Sequence, residues 1–243
     1  MARTEEGFER LAPPRKGEWR ALFREKEQTF EEYVARCTNR ASAGRRAFVL
    51  QPLGDVADRC GTTLDRMVDY AAAFFGLEVR RALPLPLFEK AYVGTRGQYN
   101  SSMILGDLAD RAPADAVVTL GIADVDLFAR GKKFVFGEGS LDGRAGICSL
   151  SRLDSSERRA LKLMTHEAGH LLSIAHCVTH RCVMQGSNSL EESDGHPLHL
   201  CPEDLRKLEW NCGVDRRERY RRLEAFYRTM GWEAEAHWIA ART

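Results

Sequence analysis

Three histidines and a glutamate lie close together between positions 166 and 176 of this 243-residue chain. His166 and His170 are four residues apart, so on a helix both imidazole rings project from one face toward one point. Imidazole nitrogens are good zinc ligands, and a catalytic zinc has three protein ligands with a fourth position open to water. Glu167 follows the first histidine, where its carboxylate can take a proton from that water. The spacing therefore predicts a catalytic zinc site with Glu167 as its base.

His176 can be the third ligand only if the helix ends near Ser173 and the chain then turns back. On that condition we expect one zinc ion bound by His166, His170 and His176. The pattern of His166, Glu167 and His170 alone is not specific for a zinc site, because helices often carry histidine and glutamate. The third histidine at this spacing makes the pattern much more specific. Four other histidines have no comparable spacing and are expected on the surface or in loops: His180, His196, His199 and His237.

The seven cysteines fall into two groups along the chain. An odd number in a reducing compartment favours metal ligands or buried thiols over disulfides. Three are scattered through the first 150 residues and are expected to be buried thiols: Cys37, Cys60 and Cys148. Four follow the histidine motif: Cys177, Cys182, Cys201 and Cys212. Cys177 and Cys182 have the short spacing of a zinc hairpin, and Cys201 can join them from the start of a later predicted helix.

Charge and composition exclude several classes of partner. The chain has 36 Lys and Arg against 35 Asp and Glu, a net charge of +1, and 44% hydrophobic residues. Such a chain has no long-range field to attract nucleic acid or an anionic membrane, so we expect neither as a partner. The N-terminus carries acids where a signal peptide needs an apolar core, and no apolar run approaches the roughly 20 residues of a membrane span. The sequence predicts a cytoplasmic protein.

Strand and helix patterns alternate ahead of the histidine motif, which predicts a sheet with helices packed against it. Helices are expected over 62–75 and 98–111. Strands are expected over short apolar runs at 48–54, 77–81, 116–121, 134–137 and 145–150. If the strand at 134–137 or the strand at 145–150 forms the edge of the sheet over the metal, its unpaired backbone groups could hold an extended peptide. The alternative is that the two strands form an ordinary hairpin.

The ends of the predicted elements define the remaining organisation. Asp154, with Glu157 three residues on, is expected to begin the metal helix in the manner of a capping box. Pro202 and Gly213 delimit a later helix, and Asp215 caps the last one. Residues 1–45 are polar and irregular with scattered aromatic side chains, so we expect an arm that packs by its aromatics. Residues 46–243 are expected to form a single catalytic domain with helices at its C-terminal end.

The segment from His166 to Met184 resembles the archaemetzincin family of zinc metallopeptidases, whose pattern HExxHxxGxxHCxxxxCxM is followed by a later CxxC. Family-like segments extend from about residue 96 to 228, with weaker echoes at 17–19 and 51–54. The resemblance implies an α+β (mixed α/β), metzincin-like fold with a mixed twisted sheet, an active-site helix and a methionine-containing turn beneath the zinc, here Met184. It also implies a peptide or protein substrate.

Two positions depart from the family pattern. Ser173 stands where the family has glycine, which leaves the helix in a left-handed conformation; a non-glycine residue there costs roughly 1–2 kcal/mol. Asp204 stands where the family has the fourth cysteine of a second, structural zinc site, and a carboxylate oxygen is also an acceptable zinc ligand. We therefore expect a second ligand set of Cys177, Cys182, Cys201 and Asp204. Cys212 is the rival of Asp204, although a helix from Pro202 would carry it roughly 15 Å away.

Three functions fit these residues. The leading prediction is a zinc-dependent metallopeptidase, with one catalytic and one structural zinc, in which Glu167 activates the zinc-bound water. The second is a binding or scaffold protein that keeps its metals for folding, with catalysis weak or lost. The departures at Ser173 and Asp204 favour this second function, whereas the intact Glu167 disfavours it. The third is a zinc hydrolase that acts on a non-peptide amide.

Overall fold

The computed structural model describes residues 7–242, so residues 1–6 of the predicted arm lie outside the described residues. Within this range the helices are α1 (Trp19–Leu22), α2 (Phe30–Arg36), α3 (Val56–Arg59), α4 (Gly61–Phe75), α5 (Ser101–Arg111), α6 (Glu157–Leu171), α7 (Leu190–Asp194), α8 (Pro202–Cys212), α9 (Arg216–Thr229) and α10 (Glu233–Ala240). The strands are β1 (Ala47–Pro52), β2 (Glu78–Arg81), β3 (Tyr92–Val93), β4 (Gln98–Asn100), β5 (Ala116–Ala123), β6 (Leu127–Phe128), β7 (Gly137–Gly139) and β8 (Ala145–Ser149), and a short 3-10 helix spans Glu89–Ala91. No helix within 7–242 is long and apolar enough to cross a membrane.

A five-stranded mixed sheet forms the centre of the molecule, in the order β2-β1-β5-β8-β7. Neighbouring strands are parallel from β2 to β8, and β7 pairs antiparallel with β8 at the edge. Every residue of β1, β5 and β8 is buried, as expected for parallel strands that are covered on both faces. A smaller sheet has the order β3-β4-β6. The predicted mixed α/β fold is confirmed.

Helices cover both faces of the five-stranded sheet. On one face, Leu64 of α4 and Leu161 of α6 belong to the larger hydrophobic core, together with Leu120 of β5. On the other face, Ile104 of α5 packs in a second core with Ile147 of β8. Helix α6 also contacts β7, so it lies beside the edge of the sheet. This position places the C-terminal half of α6 next to an outer strand.

The strand expected at 134–137 is wrong in its position. The outer strand is instead β7, three residues that begin at Gly137 and end at Gly139. Phe134 and Phe136 pack edge to face, with ring centroids 5.3 Å apart, and line a cleft beside α6. The aromatic residues that favoured a strand therefore form a cleft wall, while the glycines form the strand.

The expected start of the metal helix is also wrong. Helix α6 begins at Glu157, and its N-cap is Ser156, whose side chain accepts a hydrogen bond from the Arg159 N–H. Asp154 and Ser155 have positive φ angles of 52° and 55° and form the turn that precedes the cap. The Asp154 carboxylate binds the Arg159 guanidinium at 2.6 Å. Asp154 therefore forms a salt bridge with Arg159 and takes no part in a capping box.

Candidate metal centre

Helix α6 carries the first two histidines near its C-terminal end, which lies at Leu171. Ser173 follows with a φ of 64°, the left-handed conformation that the sequence required at this position. Its hydroxyl donates to the backbone oxygen of Leu141 at 2.9 Å, which offsets part of the strain. The turn brings His176 back to the face of α6 that carries His166 and His170.

The three imidazole rings meet at their Nε2 atoms. His166 Nε2 lies 3.0 Å from His170 Nε2 and 3.2 Å from His176 Nε2. Each Nδ1 faces an oxygen acceptor, which holds the proton on Nδ1 and leaves the lone pair on Nε2. The acceptors are the Val183 oxygen for His166 (2.9 Å), the Ile174 oxygen for His170 (2.8 Å) and Glu25 Oε1 for His176 (2.8 Å).

These three nitrogens fit a zinc ion. Lone pairs about 3 Å apart repel one another unless a cation lies between them, and nitrogens at about 2.05 Å from a tetrahedral zinc lie about 3.3 Å from each other. Burial and the neighbouring imidazoles lower the pKa of His166 well below its ordinary value and the pKa of His170 to about 4. Both rings are therefore neutral near pH 7, the form that binds metal.

Glu167 lies against β7, with its side chain directed at two glycines. A Cβ atom added to Gly137 would lie 2.8 Å from the Glu167 side chain, and one on Gly139 would lie 2.8 Å from its backbone oxygen. Glycine at both positions is what allows this approach. Burial, reinforced by the charge of Glu138, raises the pKa of Glu167 to about 8, while the backbone of Gly139 hydrogen-bonds to it. A carboxyl with such a pKa can take up and release a proton near neutral pH.

Met184 lies directly beneath the metal helix. The residue is fully buried, and a Cβ atom on Gly169 would lie 2.4 Å from its sulfur. Glycine costs about 1 kcal/mol relative to alanine inside a helix, so its presence here serves the close approach of the methionine. The sulfur therefore packs against the turn of α6 that separates His166 from His170.

A cleft of about 460 Å³ opens over the three histidines. Its walls are β7, the aromatic segment 134–136 and the segment 183–196, which contains α7, and Trp19 of the arm closes one side. Lys162, one turn before His166 on α6, is 4% exposed and donates to the backbone oxygens of Ser193 and Asp194 in the same wall. The cleft is of the size usual for ligand sites.

A second group of donor atoms lies behind the third histidine. Cys177, Cys182, Cys201 and Asp204 are all buried, and their ligand atoms lie within 4.8 Å of one another. The sulfurs of Cys177 and Cys201 are 3.7 Å apart, and the Cys182 sulfur is 3.3 Å from Asp204 Oδ2. Sulfurs at about 2.3 Å from a tetrahedral zinc lie about 3.8 Å from each other. The donor set therefore fits zinc as well.

Backbone donors and one lysine surround this second group. The N–H groups of Met184 and Cys201 point at the Cys182 sulfur, at 3.5 and 3.2 Å, and such donors stabilise a thiolate. Burial and the neighbouring thiols of Cys177 and Cys201 act more strongly in the opposite direction and raise the pKa of Cys182. Lys207 Nζ lies 2.8 Å from Asp204 Oδ1, and each side chain is 3% exposed. The ammonium group compensates part of the negative charge of the donor set. The spacing of three residues on a helix was the signal that could have predicted this pair.

Cys212 lies outside the second group. It is buried at the last position of α8, whereas Asp204 lies in the first turn of the same helix, so the helix separates them as the sequence indicated. Among the three scattered cysteines, Cys148 is buried as expected, while Cys37 and Cys60 are half-buried. All seven thiols are free.

The sequence did not predict that residues of the arm lie at the metal centre. Glu25 accepts from His176, and Trp19 Nε1 donates to the second oxygen of Glu25 at 2.8 Å. Burial alone would raise the pKa of Glu25, but the hydrogen bonds from His176 and Trp19 outweigh it and lower that pKa below its ordinary value. The weak family echo at 17–19 was the signal for Trp19, whereas no spacing pointed to Glu25.

Comparisons with known proteins agree on one family. The sequence model of peptidase family M54 matches residues 80–210. The archaemetzincin of Methanocaldococcus jannaschii is 36% identical over 171 residues, 66% of this chain and 91% of that protein. Archaemetzincin-2 of Mus musculus is 29% identical over 264 residues, 89% of this chain and 74% of that protein.

Solved structures show the same fold. The crystal structure of the archaemetzincin of Methanopyrus kandleri aligns with a TM-score of 0.63 at 29% identity, over 71% of this chain and 98% of its own. That of Archaeoglobus fulgidus, complexed with malonate, aligns with a TM-score of 0.59 at 32% identity, over 66% of this chain and 99% of its own. The fold of this chain thus contains nearly the whole of each solved chain and additional residues of its own.

Proposed function

Because the chain belongs to peptidase family M54, the archaemetzincins, a family of zinc-dependent metallopeptidases, we propose that it hydrolyses peptide bonds at the histidine cluster with Glu167 as general base. The observation that carries the proposal is the convergence of three Nε2 atoms beside a buried carboxylate at the floor of a cleft. His166, His170 and His176 would hold the ion. Zinc bound there would supply a more acidic water molecule and a Lewis acid for the scissile carbonyl.

Glu167 has the proton-transfer role in this proposal. Its carboxylate accepts a proton from the attacking water, holds it, and delivers it to the nitrogen of the leaving amine. Burial raises the pKa of this group, which supports the second half of the transfer, because a much lower pKa would hold the proton too weakly for delivery. The first half needs the ionised carboxylate, which the positive charge of a zinc ion bound at the neighbouring histidines would favour. The glycines of β7 support it by leaving room for the carboxylate.

The position of β7 favours a peptide over a small amide as substrate. This strand is the outermost of the five-stranded sheet and lines the cleft beside the histidines. An extended peptide can add to such an edge by backbone hydrogen bonds, which bind chains of differing sequence. A small non-peptide amide would make no use of a strand edge.

The second donor set is proposed as a structural zinc site. Cys177, Cys182, Cys201 and Asp204 provide four donors, so the coordination is closed and no position remains for a substrate. The site would join the loop after His176 to the start of α8, and the energy of metal binding would contribute to folding. The proposal is therefore for two zinc ions with different roles.

The test compares wild-type protein with Glu167→Gln in a peptide-library cleavage screen and by zinc analysis. The variant is expected to keep its zinc and to lose about 10²–10⁴-fold in cleavage rate, because an amide fills the same space but cannot accept the proton. Glu191→Gln is the matched control, since Glu191 is exposed on α7, and it should cleave like the wild type. Undiminished cleavage by Glu167→Gln would place the base elsewhere.

One of the two arguments for the scaffold function, the departure at Ser173, no longer applies. Ser173 favoured it because a non-glycine residue disfavours the turn to His176, yet Ser173 adopts the required left-handed conformation. A scaffold, or a hydrolase of a non-peptide amide, would both appear in the same screen as wild-type protein that holds two zinc ions and cleaves no peptide.

A further inference from the structure

Side chains of the arm bind the C-terminal end of α6. The last carbonyl groups of a helix have no partner inside it, and here three consecutive residues from the end of α6 receive hydrogen bonds from the arm. The pairs are Asn39 Nδ2 with the Leu171 oxygen (2.6 Å), the Tyr33 hydroxyl with the Leu172 oxygen (2.7 Å) and Gln28 Nε2 with the Ser173 oxygen (3.0 Å). The arm thus supplies a cap that the helix cannot make for itself.

The same series continues to the third histidine. Gln28 Oε1 accepts from the Ala175 N–H at 3.1 Å, so one amide group spans the turn from both sides. Glu25 Oε1 then accepts from His176 Nδ1 at 2.8 Å. Arm positions 39, 33, 28 and 25 therefore meet positions 171, 172, 173 and 176 in order, with the two segments antiparallel. Such an ordered series fixes the whole path from the helix end to His176.

Glu25 is itself held from its other side. Trp19 Nε1 donates to Glu25 Oε2 at 2.8 Å, so both carboxylate oxygens have a partner. The Trp19 ring packs edge to face on the His176 imidazole, with centroids 5.2 Å apart. The Trp19 backbone N–H donates to Glu192 Oε1 at 2.8 Å, which holds the main chain of Trp19 against α7. The orientation of the carboxylate toward His176 is therefore fixed.

His176 differs from its two partners in what orients it. His166 and His170 donate to backbone oxygens that lie close to α6, whereas His176 donates to a carboxylate that is 151 positions away in the chain. A carboxylate on Nδ1 fixes the ring and makes Nε2 a stronger ligand. We infer that Glu25 is a positioning residue for His176 and that, through Glu25, Gln28, Tyr33 and Asn39, the arm is a built part of the zinc site. The inference rests on the proposed function.

The test measures metal affinity in the full chain, by competition with a chromophoric chelator and by cobalt(II) substitution. Glu25→Ala is expected to weaken zinc binding at the histidine cluster about 10–100-fold and to shift the d–d bands of bound cobalt. Glu25→Gln should recover part of the affinity, because its amide oxygen can still accept from Nδ1 but carries no charge. Glu27→Ala, an exposed neighbour on the arm, should bind like the wild type.

The controls separate the possible outcomes. Bands from thiolate-bound cobalt identify the cysteine cluster, and His170→Ala gives the signal that remains when the histidine cluster binds nothing. Wild-type affinity in Glu25→Ala, or an equal loss in Glu27→Ala, would overturn the inference and leave the proposed function intact. If wild type and His170→Ala bound the same amount of metal, the proposed function itself would fail and the inference with it.

Discussion

The histidine cluster and the cysteine–aspartate cluster meet at two adjacent residues, His176 and Cys177, yet their surroundings are opposite. The three histidines are half-buried and open into a cleft of about 460 Å³. The four donors of the other cluster are buried, and the cavity beside them measures about 10 Å³. Three donors in a cleft leave a place for a reacting molecule, whereas four donors in a closed interior can only hold the chain.

The cysteine–aspartate cluster, which we call the closed cluster, also supports the histidine cluster, which is open to the cleft and which we call the open cluster. Cys182 precedes Val183, whose backbone oxygen receives the proton of His166 Nδ1. The Cys177 N–H donates to the Met184 oxygen at 2.9 Å, which ties the residue after His176 to the turn beneath α6. Loss of the closed cluster should therefore disturb the open one, while the reverse should not hold. Of the four predictions that follow, the first two test this asymmetry, and the other two test the buried lysine that lies beside each cluster.

Cys182→Ser should have the largest effect. Structural zinc in small domains contributes apparent binding free energies of about 10–16 kcal/mol, so its loss should strongly lower the thermal unfolding temperature and the occupancy of the histidine cluster. Zinc analysis and calorimetry measure both. Cys212→Ser is the matched control, since this thiol is also buried but lies outside the cluster. A single zinc in the wild type, or equal losses in both variants, would contradict the prediction.

His170→Ala should abolish peptide cleavage and leave the fold intact. Enzymes accelerate their reactions by about 10⁶-fold or more, and removal of the metal should cost most of this, beyond about 10⁴-fold in rate. The zinc of the cysteine cluster should remain, with an unfolding temperature close to that of the wild type. His180→Ala, a half-buried loop histidine, serves as control. A variant that also lost the second zinc would show that the support runs in both directions.

Lys207→Met tests the charge balance of the closed cluster. Lys207 and Asp204 form a buried pair, and removal of one partner from such a pair typically costs about 3–5 kcal/mol. We expect a loss of stability of this order and weaker zinc binding by the cysteine cluster, measured by denaturant unfolding and chelator competition. Arg206→Met, on the exposed side of the same helix, should change neither. An unchanged zinc affinity would mean that the lysine does not compensate the donor charge.

Lys162→Met should have the smallest effect on stability, because Lys162 faces backbone oxygens instead of a carboxylate. Burial, with the charge of Arg158, lowers the pKa of Lys162 to about 8, against an ordinary value near 10.5. Between these pH values the unfolded chain binds more protons than the folded one, so stability rises with pH across this window. The unfolding free energy of wild type relative to Lys162→Met should therefore increase from pH 8 to 10.5, by up to about 3 kcal/mol. A difference that stays flat over this range would contradict the lowered pKa.

The local parts of the site could be predicted from the sequence. The spacing of His166 and His170 placed both on one face of a helix, and the positive φ expected at Ser173 is adopted. Gly213 ends α8, and Asp215 caps α9 through the Glu218 N–H, both as expected. The helix that Asp215 caps is not the last one, however, because α10 follows it. Each of these depends on neighbours within one or two helical turns, where short-range geometry decides the outcome.

The remaining parts depend on contacts that no spacing reveals. Aromatic propensity predicted a strand at 134–137, but the close approach of Glu167 requires glycine there, so the strand lies at Gly137–Gly139. Asp154 has the sequence of a cap, yet its salt bridge to Arg159 places it in the preceding turn. Glu25 meets His176 across 151 positions, and only the complete fold brings the two together.

This long separation has a consequence for the order of events during biosynthesis. Glu25 leaves the ribosome about 8–30 s before His176, at a synthesis rate of about 5–20 residues per second. Closing so long a loop costs entropy that only a formed partner surface repays, so we expect the arm to dock after α6 and the turn at Ser173 have formed. Nascent chains are then expected to pass through a stage in which α6 has formed and the arm is undocked, with tight zinc retention only at the end of folding.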